Sequence, residues 1–478
     1  MSQIISLPDA YRPDPAYLTL GDEAGAPFYD IVAPASFPDS VLRYRNDRAA
    51  ATIGLHGLSD AEWIDHFARF RPLPDNIPAP IAIRYHGHQF RSYNPEIGDG
   101  RGFLYAQLRD GKNRLLDLGT KGSGQTPYSR FGDGRLTLKG AVREILATEM
   151  LESLGVYTSK TLSVIETGES LDRNDEPSPT RSAVMVRLSH SHVRFGIFQR
   201  LGFEKDEAAL NQLVDYCITN FYPDISEKTG TARVSSLFQR IVQESARLAA
   251  QWLAAGFVHG VLNTDNMNVT GESFDYGPWR ILPSVQFDFT AAYFDQTGIY
   301  AYGRQPDAVA WNLSRLGGVL SIIGQEAGLS EALQDFGPCF EKAMGDAFAK
   351  RLGVETSGAE MFPFVGQLLQ VMQETKLPFE RLFFDWFCGS ASEQRALNSP
   401  YADIYQSDSF KEIRREILGF TPARTERLNH EYFTRDVPCT MLIEEVETLW
   451  ASIARDDDWQ PLNAKIDDIR AMGTAFAL

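Results

Sequence analysis

Hydrophobic residues recur at the spacing of a helix between residues 136 and 154. Leu138, Val142 and Ile145 fall on one face of such a helix. Gly155 follows them, and glycine readily adopts the left-handed conformation that ends a helix. The pattern therefore predicts a helix over residues 136–154.

Runs with β-strand character stand on both sides of this helix. FLYAQLRD and LLDLGT, between residues 102 and 120, are separated by the turn at 110–113 and predict a β-hairpin. Two further runs, at 160–167 and 182–188, are separated by the polar stretch SLDRNDEPSPT, which predicts an exposed connection. Strands, helix and strands together predict a smaller mixed lobe.

After about residue 195 the hydrophobic pattern becomes helical. It is clearest over residues 234–255, where Leu237 and Ile241 share a face and Gly256 follows as a C-terminal cap. No repeat of 20–50 residues and no heptad run is present, which excludes solenoids and coiled coils. A larger, mainly helical lobe is predicted.

The first part of the chain has a different character. Residues 1–80 are rich in proline and aromatic residues, and only 60–70 shows a helical pattern, so irregular structure wrapped on the body is expected. The predicted fold class is α+β with two lobes. Its parts are this wrapping segment, a smaller mixed N-lobe at 81–194 and a helical C-lobe at 195–478.

Composition and charge exclude several classes of protein. The chain has 478 residues, 43% of them hydrophobic, and a formal net charge of −17. These values are typical of a globular protein, and the negative charge argues against a nucleic-acid partner, because phosphate binding needs clustered Lys and Arg.

The cysteines and the N-terminus indicate the compartment. Cys217, Cys339, Cys388 and Cys439 are far apart and form no CxxC pair, so neither a disulfide framework nor a zinc site is indicated. The N-terminus has no basic region followed by an apolar one, and no run approaches about 18 apolar residues. A cytoplasmic protein without a membrane partner is expected. The oligomeric state stays open, and a monomer is compatible with the sequence.

The segment 259–278, directly after the predicted long helix, carries the most chemical information. In kinase-like enzymes a loop Asn and a later Asp hold Mg²⁺ against nucleotide phosphates, and Asn266 and Asp275 suit these roles. Small-molecule kinases often carry a catalytic Asp two residues after the His that begins this segment, where this chain has Val261. Asp265 is the alternative general base. The competing interpretation is a set of Asx turns after a helix.

Phosphate-binding candidates lie upstream. Gly98, Gly100 and Arg101 precede a predicted strand, and glycines allow backbone N–H groups to approach a phosphate closely. Lys121 follows the second strand of the predicted hairpin, and Glu144 lies mid-helix, where it could pair with that lysine as in kinases. The alternatives are a plain turn, a solvated lysine and an exposed helix acid.

Two more positions could contact the nucleotide. Asp133 and Gly134 form a tight turn, and the Asp is a candidate contact on the ribose or phosphate side. Arg187 and Arg194 could clamp phosphates at the junction of the lobes. Surface salt bridges are the alternative for each arginine.

Two His-x-His pairs invite a metal interpretation. They are His86 with His88 and His190 with His192, and alternate residues of a strand share a face. No third ligand has suitable spacing. Structural hydrogen bonding is therefore the predicted role of these four side chains.

Together these motifs resemble the selenoprotein O family, named YdiU in bacteria, which is a pseudokinase-like family of protein adenylyltransferases. The similar stretches follow one another in the same order between about residues 85 and 315: HGHQF at 86–90, GDGR at 98–101, KGSGQTPYSR at 121–130, DGR at 133–135, RE at 143–144, residues 187–196, NTDNM at 263–267, DYGP at 275–278, and Tyr302 with QP at 305–306.

The resemblance implies a kinase-like fold in which ATP binds in a flipped orientation and AMP passes to a Ser, Thr or Tyr hydroxyl of a client protein, with pyrophosphate leaving. It implies that ATP contacts Gly98, Gly100, Arg101, Lys121, Asp133, Gly134, Arg187, Arg194 and Asp275. Asn266 and Asp275 would hold Mg²⁺ or Mn²⁺, Asp265 would accept the proton, and Glu144 would support Lys121.

The chain departs from the family pattern at several points. Arg91 stands where the family usually has Gly, and Ile299 where it usually has Arg, so local packing or client choice is expected to differ. Beyond about residue 320 the resemblance is expected to be weak. The sequence ends in AMGTAFAL, without the C-terminal Cys or selenocysteine of the family, so redox coupling through that end is not expected.

The residues alone leave two other functions open. One is a conventional kinase that transfers the γ-phosphate, with Asp265 in place of the missing base. The other is a silent nucleotide-binding scaffold. ATP labelled at the α or the γ position distinguishes these functions, because AMP transfer retains only the α label on the acceptor.

Overall fold

The computed structural model describes residues 10–174 and 176–478. The fold mixes α and β structure: the N-terminal part contains the main sheet, and the C-terminal part is helical. The first nine residues of the predicted wrapping segment, and Asp175 in the predicted polar connection, lie outside the described residues.

The main sheet is antiparallel, with the order β1-β3-β6-β7-β10-β9-β2, and β8 pairs with β10. The strands are β1 Tyr29–Ile31, β2 Val41–Arg45, β3 Ile81–Ile83, β4 Gly87–Gln89, β5 Ser92–Asn94, β6 Leu104–Arg109, β7 Leu115–Lys121, β8 Leu136–Thr137, β9 Lys160–Leu171, β10 Thr180–Ser189, β11 Phe257–Val258, β12 Arg280–Ile281, β13 Val354–Glu355 and β14 Thr421–Pro422.

The helices follow the sheet in chain order, apart from three in the N-terminal part. They are α1 Asp47–Thr52, α2 Asp60–Phe67, α3 Leu138–Ser153, α4 Phe195–Glu204, α5 Glu207–Phe221, α6 Gly230–Ala254, α7 Gln305–Leu320, α8 Glu326–Gln334, α9 Phe336–Leu352, α10 Gly358–Thr375, α11 Phe379–Trp386, α12 Glu393–Leu397, α13 Ala402–Tyr405, α14 Lys411–Gly419, α15 Ile443–Asp456 and α16 Gln460–Phe476. In the described ranges, none of them combines the length and the apolar character needed to cross a membrane.

The two faces of strand β10 pack against different parts of the protein, because successive side chains of a strand point to opposite faces. Val184 and Val186 belong to a hydrophobic cluster that also contains residues of α1 and α2. Ala183 and Met185 belong to the main core together with α3. Arg187 continues this second face, so the strand alternation directs it toward α3 and the cleft beside it.

The last helix returns to the N-terminal part. Arg470 of α16 forms an ion pair of 2.7 Å with Glu149 of α3, whose side chain is buried. The tyrosine hydroxyl of Tyr44 in β2 donates to the same carboxylate at 2.7 Å. The C-terminus of the chain therefore helps to fix α3, the helix that carries Glu144.

Most predicted elements are confirmed with shifts of a few residues at their ends. The predicted helix over 136–154 is α3, the predicted hairpin is β6 with β7, and the long helix predicted over 234–255 is α6. The two runs at 160–167 and 182–188 are β9 and β10, which extend into the predicted connection and shorten it.

The expectation of irregular structure over residues 1–80 is wrong in part. Besides helix α2, where a helix was predicted, this segment contains helix α1 and the strands β1 and β2, which extend the main sheet. Both strands are short, and β2 gains its partners from β9, which lies more than 110 residues further along the chain. Tertiary pairing of this kind leaves little trace in a local hydrophobic pattern.

Candidate active site

A cavity of about 630 Å³ opens between the main sheet and the segment 259–278. Its lining includes all the residues predicted to bind ATP and the predicted proton acceptor: Gly98, Gly100, Arg101, Lys121, Asp133, Gly134, Arg187, Arg194, Asp275 and Asp265. Glu144 and Asn266 lie behind this lining, and each contacts a lining residue. The fold thus brings the whole predicted set to one cleft, while the ligand of each residue stays a prediction.

Lys121, at the end of β7, forms an ion pair with Glu144 of α3. Its Nζ lies 2.8 Å from Glu144 Oε2, and Arg187 of β10 donates to Oε1 of the same carboxylate at 2.5 Å. Burial by itself would raise the pKa of Glu144, but Lys121 and Arg187 outweigh burial and lower it. Glu144 is therefore ionised and fixes two cations at the cleft.

Cationic side chains from three elements lie close to the carboxylate of Asp275. Its Oδ1 accepts hydrogen bonds from Lys121 Nζ at 2.9 Å and from Arg187 Nη2 at 3.3 Å, and Arg194 Nη1 lies 3.9 Å from Oδ2. Burial would raise the pKa of Asp275, but these three cations hold it well below its usual range. The backbone φ of Asp275 is 61°, in the left-handed region that Asp adopts more readily than most residues with a side chain.

Arg194 reaches the cleft from the start of α4, and its guanidinium is almost fully buried. It donates to the backbone oxygen of Asp265 at 3.2 Å and to Asp99 Oδ1 at 3.4 Å. Its Cζ lies 4.7 Å from the ring centre of Tyr85 and 5.0 Å from that of Phe274. These contacts restrain a buried cation at the wall of the cleft, where it can meet a negatively charged ligand.

Asp265 lies in the 3₁₀ turn Thr264–Asn266, at the edge of the cavity. The turn is held against strand β4, because the backbone N–H of His88 donates to Thr264 Oγ1 at 2.7 Å. Within the described residues, Asp265 Oδ1 has no hydrogen-bond partner although it is buried. Burial raises the pKa of Asp265 to about 6, while Arg194 acts in the opposite direction. An unpaired carboxylate with a raised pKa can accept a proton from a group that enters the cleft.

Asn266 and Asp275 fit a hard divalent cation. The Nδ2 of Asn266 donates to Asp275 Oδ2 at 3.3 Å, which leaves the amide oxygen available, and Asp275 stays ionised. Among the described residues, no group of three or more His, Cys, Asp and Glu side chains is placed to hold a metal. Two protein oxygens suit Mg²⁺, which usually takes its remaining ligands from water and substrate phosphates.

The histidines of the two His-x-His pairs make the side-chain hydrogen bonds that were predicted for them. The partners are Tyr93 for His86, Gln199 for His88, Tyr157 for His190 and Asp117 for His192, at 2.6 to 3.2 Å. His192 also lines the cavity. A Cβ added to Gly119 would lie 2.2 Å from its Nε2, so only glycine allows the ring to pack there.

Sequence reasoning missed two contacts of the cleft. Asp99, inside the glycine-rich motif, accepts a hydrogen bond from the backbone of Ile83 at 3.1 Å and anchors Arg194. Arg173, in the connection predicted to be merely exposed, forms an ion pair of 2.9 Å with Asp133 and lines the cavity. The position of Asp99 between two candidate glycines was a usable signal, whereas no local pattern connects Arg173 to Asp133.

Comparison with known proteins identifies relatives of this chain. The family model described as "Protein adenylyltransferase SelO" matches residues 14–470. A protein nucleotidyltransferase YdiU of Synechocystis sp. is 42% identical over 96% of this chain and 98% of its own length. Proteins of the same name from Gloeobacter violaceus and Azotobacter vinelandii are 42% and 33% identical, over 96% and 94% of this chain and 94% of each relative.

These matches correct one expectation. The resemblance was expected to weaken beyond about residue 320, but the family match continues to residue 470. The helical C-terminal part carries few motif residues with chemical roles, so sequence reasoning from chemistry alone underestimated it. With a family match over nearly the whole chain and relatives at 42% identity, this chain belongs to the SelO family of protein adenylyltransferases.

Proposed function

We propose that this protein binds ATP in the cleft and transfers AMP to Ser, Thr or Tyr hydroxyls of client proteins, with release of pyrophosphate. The observation that carries the proposal is the convergence of Lys121, Arg187 and Arg194 on Asp275 inside one cavity. Family membership supports the choice of AMP transfer over a conventional kinase or a silent scaffold.

The proposal includes a kinase-like arrangement of two lobes. It is supported by the ion pair of 2.8 Å that joins the lysine of a sheet strand, Lys121, to a helix acid, Glu144. It is supported as well by the segment 259–278, which brings Asp265 and Asp275 to the same cavity as this lysine. The lobes would be 81–194 and 195–478.

The phosphates of ATP would lie on the floor of the cleft. Lys121, Arg187 and Arg194 are largely buried there, and cations in a site shielded from water bind phosphate oxygens more strongly than exposed ones. The backbone of Gly98 and Gly100 and the side chain of Arg101 would contact phosphates from the glycine-rich turn. Asp133, which is exposed, and the adjacent Gly134 line the same cavity and would contact the nucleoside.

Asn266 and Asp275 would hold Mg²⁺ or Mn²⁺. When bound with ATP, such an ion neutralises phosphate charge and polarises the phosphorus–oxygen bonds. The protein contributes the position of the two oxygen donors, which their hydrogen bond of 3.3 Å fixes relative to each other. Lys121 and Arg187 then remain available for the phosphate oxygens that the metal ion does not contact.

In the reaction, the hydroxyl oxygen of the client attacks the α-phosphorus. A new phosphorus–oxygen bond forms, the bond from this phosphorus to the bridging oxygen of pyrophosphate breaks, and the hydroxyl proton passes to Asp265. With a pKa of about 6, Asp265 is mostly ionised at neutral pH and is a stronger base than an ordinary aspartate. Arg187 and Arg194 would stabilise the charge that develops on the phosphate oxygens.

The test uses ATP labelled at the α or the γ position, with a total protein lysate as the acceptor. We expect the α label, and not the γ label, to be retained on protein, and Asp265→Ala to abolish this retention. Retention of the γ label would instead indicate a kinase. Retention of neither label, with no pyrophosphate released, would indicate a scaffold and overturn the proposal.

A further inference from the structure

The cleft changes in character from its floor to its rim. At the floor, the side chains of Lys121, Arg187 and Arg194 are only 12%, 7% and 9% exposed. At the rim, Phe131 lines the same cavity and yet is fully exposed. Because the triphosphate carries nearly all the charge of ATP, the cationic floor suits the phosphates, and the base then faces the rim and Phe131.

The loop that carries Phe131 is anchored at both sides of its tip. The backbone N–H of Gly124 donates to the oxygen of Gly134 at 3.2 Å, and Ser129 Oγ donates to the backbone oxygen of Gly100. The four residues 130–133, called the tip here, project beyond these anchors and are exposed. Within the tip, the backbone N–H of Gly132 donates to the oxygen of Ser129 at 2.7 Å, and Gln125 Nε2 donates to the oxygen of Gly132 at 2.8 Å. The backbone of the tip is therefore held in place while the side chain of Phe131 stays uncovered.

The tip presents an aromatic side chain that is able to contact a flat aromatic ligand. Arg130, directly before Phe131, adopts a left-handed φ of 52°. Asp133, the last residue of the tip, is held by its ion pair of 2.9 Å with Arg173. Among the described residues Phe131 is the most exposed of the large hydrophobic side chains. An apolar ring at the mouth of a polar cavity gains free energy when it covers another ring.

We propose that Phe131 stacks on the purine ring of the bound nucleotide and is a base-recognition residue of this protein. The inference rests on the proposed function, because it takes ATP as the occupant of the cleft. Stacking on an aromatic side chain recognises the π-face that every base has and favours the larger purine over a pyrimidine. Phe131 would thus position the nucleoside while the buried cations position the phosphates.

The test compares the affinity of wild type and Phe131→Ala for ATP and for inorganic tripolyphosphate, which has the charge but no base. We expect Phe131→Ala to weaken ATP binding by roughly 5- to 150-fold, which corresponds to the loss of one base–aromatic stack. Binding of tripolyphosphate is expected to be unchanged. Any difference in affinity between ATP and UTP that wild type shows is expected to become smaller in the same variant.

Two further variants complete the design. Phe131→Tyr keeps an aromatic ring and should retain ATP affinity, and Val437→Ala removes another exposed apolar side chain that does not line the cavity and should change nothing. The inference is overturned if Phe131→Ala binds ATP like wild type, or if it loses ATP and tripolyphosphate affinity equally. Failure of wild type itself to bind ATP would overturn the proposed function, which is a separate outcome.

Discussion

Lys121 and Asp275 form an ion pair of 2.9 Å although 154 residues separate them in the chain. The pair joins the end of a sheet strand to the segment that follows the long helix α6, and Glu144 holds Lys121 from the other side at 2.8 Å. Two carboxylates thus share one ammonium group at the floor of the cleft. This arrangement makes Asp275 both an anchor for the cations and a candidate metal ligand.

Replacing Asp275 with Asn affects both roles, and each role has its own measurement. Asp275→Asn keeps the shape of the side chain but removes the charge that a divalent cation needs. We expect kcat/KM for AMP transfer to fall by at least about 100-fold and the metal dependence of ATP binding to disappear. Titration of ATP with and without Mg²⁺ or Mn²⁺ checks this.

The affinity of the same variant for metal-free pyrophosphate should not fall. Lys121 and Arg187 lose a counter-charge in Asp275→Asn, so metal-free pyrophosphate should bind at least as tightly as to wild type. An Asp275→Asn protein with full activity and unchanged metal dependence would contradict the assigned metal site.

Asp265 should give the reaction a pH dependence near pH 6. Its pKa is raised to about 6 by burial, so the ionised form that accepts a proton predominates above this pH and is lost as the pH falls through it. We expect kcat/KM to decline below about pH 6 in wild type. In Asp265→Asn this acid limb should be absent, with kcat lowered by roughly 100- to 10,000-fold and ATP affinity nearly unchanged.

Rate measurements between pH 5 and pH 8 on both proteins check this prediction. His190 and His86 should not contribute to this limb, because burial lowers the pKa of each to about 4. An acid limb that persists in Asp265→Asn would assign the titration to another group and contradict the role of Asp265.

The residues of the candidate site could be predicted from the sequence, but the distances between them could not. Lys121, Glu144 and Asp275 were recognisable because their chemistry depends on local context: a strand end, a helix and a turn. The anchoring of Arg194 by Asp99, at 3.4 Å, depends on the packing of elements that lie about 95 residues apart. No hydrophobic period or motif encodes such a distance.

In the fold, too, elements with a local pattern were predictable, and elements that depend on long-range pairing were not. Helices α3 and α6 were predictable because their apolar residues recur over four or more turns and a glycine follows each of them. Strand β2 was not predictable, because its five residues are too few to show a clear alternation of hydrophobic and polar side chains. Its place in the sheet comes from the pairing with β9, and therefore from the folded structure as a whole.

Glu144 should be a determinant of stability as well as of activity. Its carboxylate is 1% exposed and pairs with Lys121 and Arg187, both of which are largely buried. In Glu144→Ala these two cations lose a partner, so we expect the free energy of unfolding to fall by about 3–5 kcal/mol. Glu144→Gln, which keeps one hydrogen-bond acceptor, should lose less.

Urea unfolding of the Glu144 variants measures these losses. Glu412→Ala is the matched control, because Glu412 pairs with Arg415 at an exposed position, and such pairs contribute about 0–1 kcal/mol. If Glu144→Ala were as stable as this control, the ion pairs at the floor of the cleft would not hold α3 and the sheet together.

Gly119 should tolerate no side chain, because His192 occupies the space above it. A Cβ at this position would lie 2.2 Å from His192 Nε2, and the ring cannot move freely since its Nδ1 lies 3.2 Å from Asp117 Oδ2. The backbone N–H of His192 donates to the same oxygen at 2.7 Å. Displacing His192 would also displace Arg194, two residues further on. We therefore expect Gly119→Ala to lower stability by about 1–3 kcal/mol and to weaken ATP binding.

Two controls isolate the cause in Gly119→Ala. Gly111→Ala, in a turn where an added Cβ meets nothing within 4 Å, should change stability by less than about 0.5 kcal/mol. In the double variant Gly119→Ala/His192→Ala the ring that causes the clash is gone, so its loss of stability should be smaller than the sum of the two single losses. Simple additivity, measured by urea unfolding, would show that the strain arises elsewhere in β7 and that His192 does not require glycine at this position.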